Sequence, residues 1–510
     1  MYTIGISLLT VLTIIIPQIF ATPVVIRLVS SDPISTTNPT YASWNIDPSC
    51  NRGFHQTNFS NPNLAAAARA LTPSRLRFGG SGTDNLVYGL TPGSPECASV
   101  PPVTDCSYTT PGCLNATHWN NLYQFGKAAQ ADFIFSVSFN LDDACKVGYK
   151  YVWNSSNAEN LLAYLVANGQ TDIWGFEHGN EIGNAGPGTA CNLSAISQAG
   201  MVNTWWNLIK NDMPSVRLIG PDSGGYDPLQ WLQVFLPAVT APLHAVTHHV
   251  YNGVDRHTFN SPSQLDNSLP EIAWYTNVST KLAPNSEYWA GENGPTGGGN
   301  DGTCGSDTVC GLFASTLWYA DDMSVRAKHG FSNYQRHDFF GGAYGLTNSM
   351  NGAMQLGPTD PVILRPDFWI NFLWKRTIGT MVLNVTSNSS TIRAYGYKGL
   401  PPSPFAATQC ATSSLQLLLI NLDNSTSDTS VVLPPVGAQY AAWTLSALPN
   451  PNGPFTTLSA INNIPVAVIV DISKSDPSKY LSGITEAPVV GNVVDGISIS
   501  PLSTTFICYM

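Results

Sequence analysis

The sequence predicts an α/β fold, a (β/α)8 TIM barrel followed by a C-terminal β-sandwich domain, and three observations carry that expectation. Between about residues 41 and 379, short β-type runs alternate with longer segments of helical period, the pattern of βα units around a parallel sheet. Eight such runs can be counted, which points to a closed barrel rather than an open sheet. After residue 380 the helical period fades, and short strands separated by turn residues take over.

In chain order the barrel-strand candidates are Tyr41 to Asp47, Arg75 to Gly79, Phe133 to Asn140, Ile173 to Asn180, Arg217 to Pro221, Ala245 to Tyr251, Tyr288 to Glu292, and Phe331 to Phe339. Helical period is clearest in Asn157 to Ala167, Pro228 to Val239 and Arg365 to Gly379, where Pro366 suits a first helical turn. In the last quarter, Leu415 to Leu422 and Val466 to Asp471 read as strands, and Val24 to Val29 is expected to add a strand from the other end of the chain. The expected divisions are residues 1–21 as a leader, 22–36 as an N-terminal strand joining the sandwich, 37–379 as the barrel and 380–510 as the sandwich.

The leader expectation rests on an apolar run from Ile4 to Ile16, then Pro17 and the small residue Ala21 before Thr22 and Pro23, which fits a secretory signal peptide despite the lack of Lys or Arg ahead of it. A secreted, extracellular chain with no membrane association after cleavage follows as an expectation. All ten cysteines lie downstream of that segment, the first being Cys50, and none forms a CxxC pair, so disulfides are expected rather than metal ligation. Cys304 and Cys310, in a Gly-rich loop, invite a local bridge. Cys410 and Cys508 are expected to pair across the last quarter, where no cysteine separates them. Eight N-x-S/T sequons accord with export.

The net charge is -11, with 22 Lys plus Arg and no run of three basic residues. A nucleic-acid or polyanion surface needs clustered positive charge to release counterions, so those partner classes are excluded.

Glutamate is scarce, eight in 510 residues, yet two of the eight close predicted strands four and seven, in Gly179-Asn180-Glu181 and Gly291-Glu292-Asn293. In a barrel, residues at the carboxyl ends of strands face the active-site mouth. Two carboxyls across a sugar are what glycoside hydrolysis requires: one protonates the leaving oxygen, and the other attacks the anomeric carbon or activates water. Glu181 and Glu292 are therefore the candidate catalytic residues, and such chemistry needs neither cofactor nor metal. Glu177, in the same strand as Glu181, competes for the role but reads as a structural carboxylate below the mouth, bonded to an Arg or His. His248 and His249 close strand six; no third ligand follows at a metal spacing, so substrate hydrogen bonding or core packing is expected of them. No G-x-S-x-G elbow supports a serine hydrolase.

Six motifs, LRFGGSGTD (Leu76 to Asp84), WNSSNAENLLAYL (Trp153 to Leu165), WGFEHGNE (Trp174 to Glu181), THHVYNG (Thr247 to Gly253), WAGENGPTGGG (Trp289 to Gly299) and PDFWINFLWKRTIGTMVL (Pro366 to Leu383), together resemble the heparanase-like enzymes of glycoside hydrolase family 79. The resemblance runs through nearly the whole chain in order. It implies a barrel with a β-sandwich built from both chain ends, and β-glucuronidase activity by a retaining mechanism. Glu181 would be the proton donor and Glu292 the nucleophile. It further implies that Asp47, Thr83 or Ser81, and Asn180 line the sugar site, and that Tyr344 with the backbone of Gly297 and Gly298 holds the uronic carboxylate; His248 and Tyr251, near the end of predicted strand six, are expected to bind substrate as well. His337 stands where the animal enzyme carries Gln. Glu181 is followed by Ile182 in place of the usual Pro, and the basic clusters of a heparan sulfate binder are absent.

The expected partner is thus a carbohydrate, a β-glucuronide. An endo-β-glucuronidase of heparan sulfate type and a non-catalytic secreted carbohydrate-binding protein are the alternatives; the intact pair of carboxylates speaks against the second. The oligomeric state is not legible from the sequence.

Overall fold

A computed structural model of the chain describes residues 23–48, 57–91, 112–138, 153–182, 193–224, 228–296, 307–350, 355–449 and 453–510. The leader, Gly297, Gly298 and Cys304 lie outside the described residues. Eight parallel strands close into a barrel in chain order: Ala42–Ile46, Ser74–Phe78, Ala131–Val137, Gly175–His178, Arg217–Ser223, Leu243–Tyr251, Glu287–Gly294 and Asn333–Arg336. Here they are called barrel strands one to eight. Each expected run overlaps one of them, and strands two, three, five, six and seven extend beyond the expected bounds.

The helices that follow the strands are Pro62–Arg69, Ala116–Ala128, Ser156–Ala167, Ala195–Ile209, Pro228–Ala238, Leu269–Leu282, Ser315–Lys328 and Pro366–Thr377. Local chemistry starts several of them. Asn61 caps the first, its side chain accepting the N–H groups of Asn63 and Leu64 with Pro62 at the first position. The last carries Asp367 in its first turn and Lys375 and Arg376 in its last, signs that complement the helix dipole. That helix is buried on every side, and so are Ser315 to Ala327 of its neighbour. A helix buried all round is packed on both faces. Here one face lies on the barrel and the other on a second, β-rich domain.

That second domain is an eleven-stranded sheet folded around its own core. The segment Val24–Thr36 enters it from the chain's beginning, antiparallel to Met381–Ser387 and parallel to Thr429–Val432. Strand Gln416–Asn421 shows why its sequence is a continuous apolar run rather than an alternating one. Leu417 and Leu419 fill the sandwich core with Ile26, Val385 and Ile507, whereas Leu418 and Ile420 join the larger core beneath the barrel helices. Cys410 and Cys508 form a disulfide with Cα atoms 5.1 Å apart and a sequence separation of 98. A loop of that length is worth about 4–5 kcal/mol in the chain-entropy account. Across the domain boundary, Arg393 and the Tyr395 hydroxyl both bind Asp321, and Arg393 also reaches Asp266 at 2.6 Å.

One expectation for the tail needs correction. The run Val466 to Asp471 is a strand only at Ile469–Val470, and it leaves the sandwich to pair with Val362–Leu364, which in turn pairs with Thr347–Ser349. The apolar run is there to cover the barrel, and the backbone N–H of Ile472 accordingly donates to Asn63 Oδ1 at 2.8 Å.

Candidate active site

Alternation along the barrel strands determines which side chains reach the interior. In strand two, Ser-Arg-Leu-Arg-Phe, Leu76 and Phe78 face the helix layer, where Phe78 stacks on Phe135. Arg75 and Arg77 point inward. Arg75 lies low in the barrel, its guanidinium 4.1 Å from the ring of Trp174 and 4.7 Å from that of Trp289. Arg77, two residues further on, is fully buried and binds four acceptors: Glu177 at 2.6 Å, Glu292 Oε2 at 2.9 Å, Asn180 Oδ1 at 2.9 Å and Asp222 Oδ2 at 3.2 Å. This one cation organises the ends of strands four, five and seven.

Above it stand the two glutamates. Oxygens of Glu181 and Glu292 and a ring nitrogen of His249 all lie within 4.8 Å of one another. Glu292 also accepts the Tyr251 hydroxyl, and His337 Nδ1 is 3.7 Å away. Glu181 accepts His249 Nδ1 at 2.8 Å. Its backbone is left-handed, with φ 49°, as is that of Asp222, with φ 52°. The Glu181 N–H donates to the Asp222 carbonyl at 2.9 Å, so one hydrogen bond holds two strained residues together. Asn180 is fixed on both sides, by Arg77 and by a 2.8 Å bond from its N–H to Asp84 Oδ1.

The charges are distributed by burial and contact. Burial drives the Glu177 carboxyl well above the usual carboxylate range, with Arg77 opposing and Asp222 adding to the rise. Burial also works against the charge on Asp222, but Arg77 and His249 overcome it and hold Asp222 below that range. His249 would be made neutral by burial alone; the charge of Glu292, the neighbouring Asp222 carboxylate and the hydrogen bond to Glu181 lift it to about 10. Burial and the charge of Glu292 push Tyr251 well above the usual phenol range, which keeps it a donor.

Of the residues expected at the site, Asp47, Asn180, Glu181, Tyr251, Glu292, His337 and Tyr344 converge. His337 Nε2 is 4.0 Å from Asp47 Oδ2, and the Tyr344 ring centre is 6.3 Å from that of Tyr251 and 5.9 Å from that of His337. Thr83 is buried in the turn beside them, its hydroxyl donating to the Gly80 carbonyl at 2.7 Å. Gly80, at φ 144°, makes room for Asp47: a Cβ there would fall 2.3 Å from the carboxyl carbon.

His248 is the exception. Strand alternation turns it out of the barrel, where it stacks on Tyr275 at 3.7 Å and binds Glu271. The inward histidine is His249. Glu177 is the structural carboxylate it was read as. Arg77, Asp84 and Asp222 were not singled out from the sequence. Cys310 is disulfide-bonded, and the pairing expected with Cys304 falls outside the described residues.

A closed eight-stranded barrel with two close carboxylates at the ends of strands four and seven defines a glycoside hydrolase of the barrel class. The chain belongs to glycosyl hydrolase family 79, whose N-terminal domain matches residues 40–324. It is 28% identical over 381 residues to Heparanase-like protein 3 of Arabidopsis thaliana, a match covering 72% of this chain and 66% of that one. It is 25% identical over 443 residues to Baicalin-beta-D-glucuronidase of Scutellaria baicalensis, covering 78% and 77%. Among solved structures, the 4-O-alpha-L-rhamnosyl-beta-D-glucuronidase of Fusarium oxysporum 12S superposes with a TM-score of 0.64 over 95% of this chain and 100% of that one, at 12% identity, a likeness of fold.

Proposed function

We propose that this protein is a secreted, retaining β-glucuronidase that releases terminal glucuronic acid from glycans or conjugates by double displacement. The observation that carries the retaining reading is that an oxygen of Glu181 and an oxygen of Glu292 lie within 4.8 Å of each other. Retaining enzymes hold their carboxyls about 5–5.5 Å apart, whereas inverting ones leave about 6.5–9.5 Å for a water molecule.

In the first step a Glu292 oxygen attacks the anomeric carbon, and Glu181 gives its proton to the departing glycosidic oxygen. The products are a glycosyl ester on Glu292 and a free alcohol. In the second step water attacks the same carbon, Glu181 takes the water proton, and the ester bond breaks to return Glu292 as carboxylate. Arg77 and Tyr251 supply Glu292 with charge-assisted hydrogen bonds that orient it as nucleophile. His249 fixes the acid/base carboxyl from the side. The names of the family relatives favour a uronic acid as the sugar. Tyr344 is the described residue assigned to its carboxylate, together with the backbone of Gly297 and Gly298. Export is supported by the apolar run that opens the sequence.

A 2-fluoro glucuronide with an activated leaving group tests this directly. It should label Glu292 covalently and leave Glu292→Gln unlabelled, while Glu181→Gln should lose about 10²–10⁴-fold in rate on substrates with poor leaving groups. Labelling of Glu292→Gln, or full activity in either variant, refutes the assignment.

A further inference from the structure

The wall of the site that carries His337 and Tyr344 is a loop, residues 337–346, that leaves strand eight and folds back on itself. Its ends are pinned by backbone bonds: Phe339 N–H donates to the Asn45 carbonyl at 2.7 Å and Leu346 N–H to the Asp338 carbonyl at 2.8 Å. Four carbonyls of the segment, those of His337, Gly342, Ala343 and Tyr344, are met by two arginines. Arg336 donates to the carbonyls of His337 and, at 3.0 Å, of Tyr344. Arg365 donates to those of Gly342 at 3.0 Å and Ala343 at 2.5 Å.

Both arginines are themselves held. Arg336 is fully buried and paired with Asp367 at 2.6 Å, and its guanidinium lies 5.6 Å from the centre of the Tyr344 ring. Arg365 has its own N–H on the Leu346 carbonyl at 2.9 Å. The opposite side of the same knot is Gly311, next to the disulfide-bonded Cys310. A Cβ on Gly311 would fall 2.6 Å from the Ala343 carbonyl oxygen and 3.1 Å from Arg365 Nη1. Apart from the pairing of Arg336 with Asp367, the side-chain hydrogen bonds described for the two arginines go to carbonyls of the loop. Arg336 spans its two carbonyls with Nη1 and Nη2, the rigid fork of a guanidinium, whereas Arg365 serves both of its carbonyls from Nη1.

We propose that Arg336 and Arg365 are positioning residues for uronate recognition: together they fix loop 337–346 so that Tyr344 is presented to the carboxylate of a terminal uronic acid. The proposal rests on the glucuronidase reading of the site. It distinguishes the pair from ordinary structural arginines because the effect of losing them falls on substrate binding rather than on the chemical step.

The test measures kcat and KM on nitrophenyl β-glucuronide for wild type, Arg365→Met, Arg365→Lys and Tyr344→Phe, with the melting temperature of each. Arg365→Met should raise KM about tenfold while kcat falls less than about threefold, the mark of lost uniform binding. Arg365→Lys should recover part of the loss, and Tyr344→Phe should reproduce the KM rise. If Arg365→Met melts too low to assay, an intermediate KM in Arg365→Lys supports the proposal and a wild-type KM in it overturns it. A wild-type KM in Arg365→Met beside a raised KM in Tyr344→Phe overturns the clamp but leaves the glucuronidase reading standing. Failure of the wild-type protein to cleave the glucuronide, with cleavage of another β-glycoside, overturns the glucuronidase reading itself.

Discussion

Gly224 and Glu181 share one space: a Cβ on residue 224 would fall 2.3 Å from Glu181 Oε1. The second residue after Asp222 must therefore lack a side chain if the acid/base carboxyl is to stand where it does. Gly224→Ala should leave the barrel folded and displace Glu181. Misplacement of a catalytic group by about 1 Å costs on the order of 10²-fold in rate. The loss should be largest on alkyl glucuronides, whose leaving group needs the proton, and smallest on dinitrophenyl ones, which do not. Equal losses on both would show that Glu181 is not the group displaced.

Arg77 should be the residue whose loss destabilises the barrel most. Its fully buried guanidinium pairs with Glu177, Asp222 and Glu292. Removing one partner of a buried ion pair leaves an unpaired charge and costs about 3–5 kcal/mol. Arg77→Met should lower stability by that order in urea unfolding and abolish activity. A variant within 1 kcal/mol of wild type, to the order that surface changes reach, would contradict the network as drawn.

The pH dependence of stability follows from His249. Burial opposes its charge, but Glu292, Asp222 and Glu181 raise its folded pKa to about 10, against about 6.5 in an unfolded chain. A raised folded pKa means that the folded state binds the proton more tightly. The stabilisation is complete below about pH 6.5 and is lost progressively as pH climbs toward the folded value. The melting temperature of wild type should therefore fall more steeply between pH 7 and about 10 than that of His249→Gln. Parallel curves would mean that His249 is neutral in the folded protein.

Charge also limits the substrate. The chain carries -11 net and no basic cluster, so a densely sulfated polymer finds little to bind. A single uronate can instead be held by a hydroxyl and backbone N–H groups, because hydrogen bonds to an ionised acceptor are strong. Turnover of simple β-glucuronides should vary little with ionic strength, and the protein should pass through a heparin column at physiological salt, where the Debye length is ~8 Å. Salt-sensitive retention with endo-cleavage of heparan sulfate would assign the alternative substrate.

The barrel was legible because each strand is a short apolar run bounded by turn or helical signals, and Glu181 and Glu292 because scarce carboxylates at strand ends stand out. Arg77 did not stand out. In Ser-Arg-Leu-Arg-Phe it reads as a polar residue on a half-exposed strand, whereas this strand has no exposed face and its polar side fills the barrel. His248 and His249 are indistinguishable in composition, and a register shift of one residue exchanges inside for outside. Asp222 was hidden because strand five was expected to end at Pro221, while it runs to Ser223 through a left-handed residue that no periodicity announces.

The strand Val24–Thr36 has a consequence for the order of assembly. Val25 hydrogen-bonds Asn388, 363 residues later, so this strand is synthesised ahead of the whole barrel and waits for its antiparallel neighbour, which follows the barrel. Strand Ser503–Tyr509, made after all its neighbours, lies between Gln416–Asn421 and Gln439–Ala447, in the middle of the same sheet. The β-domain is thus a clasp that shuts after the barrel it encloses in sequence. A truncation inside Ser503–Tyr509 would remove not an edge but a central strand, together with Cys508 and its covalent tie to Cys410.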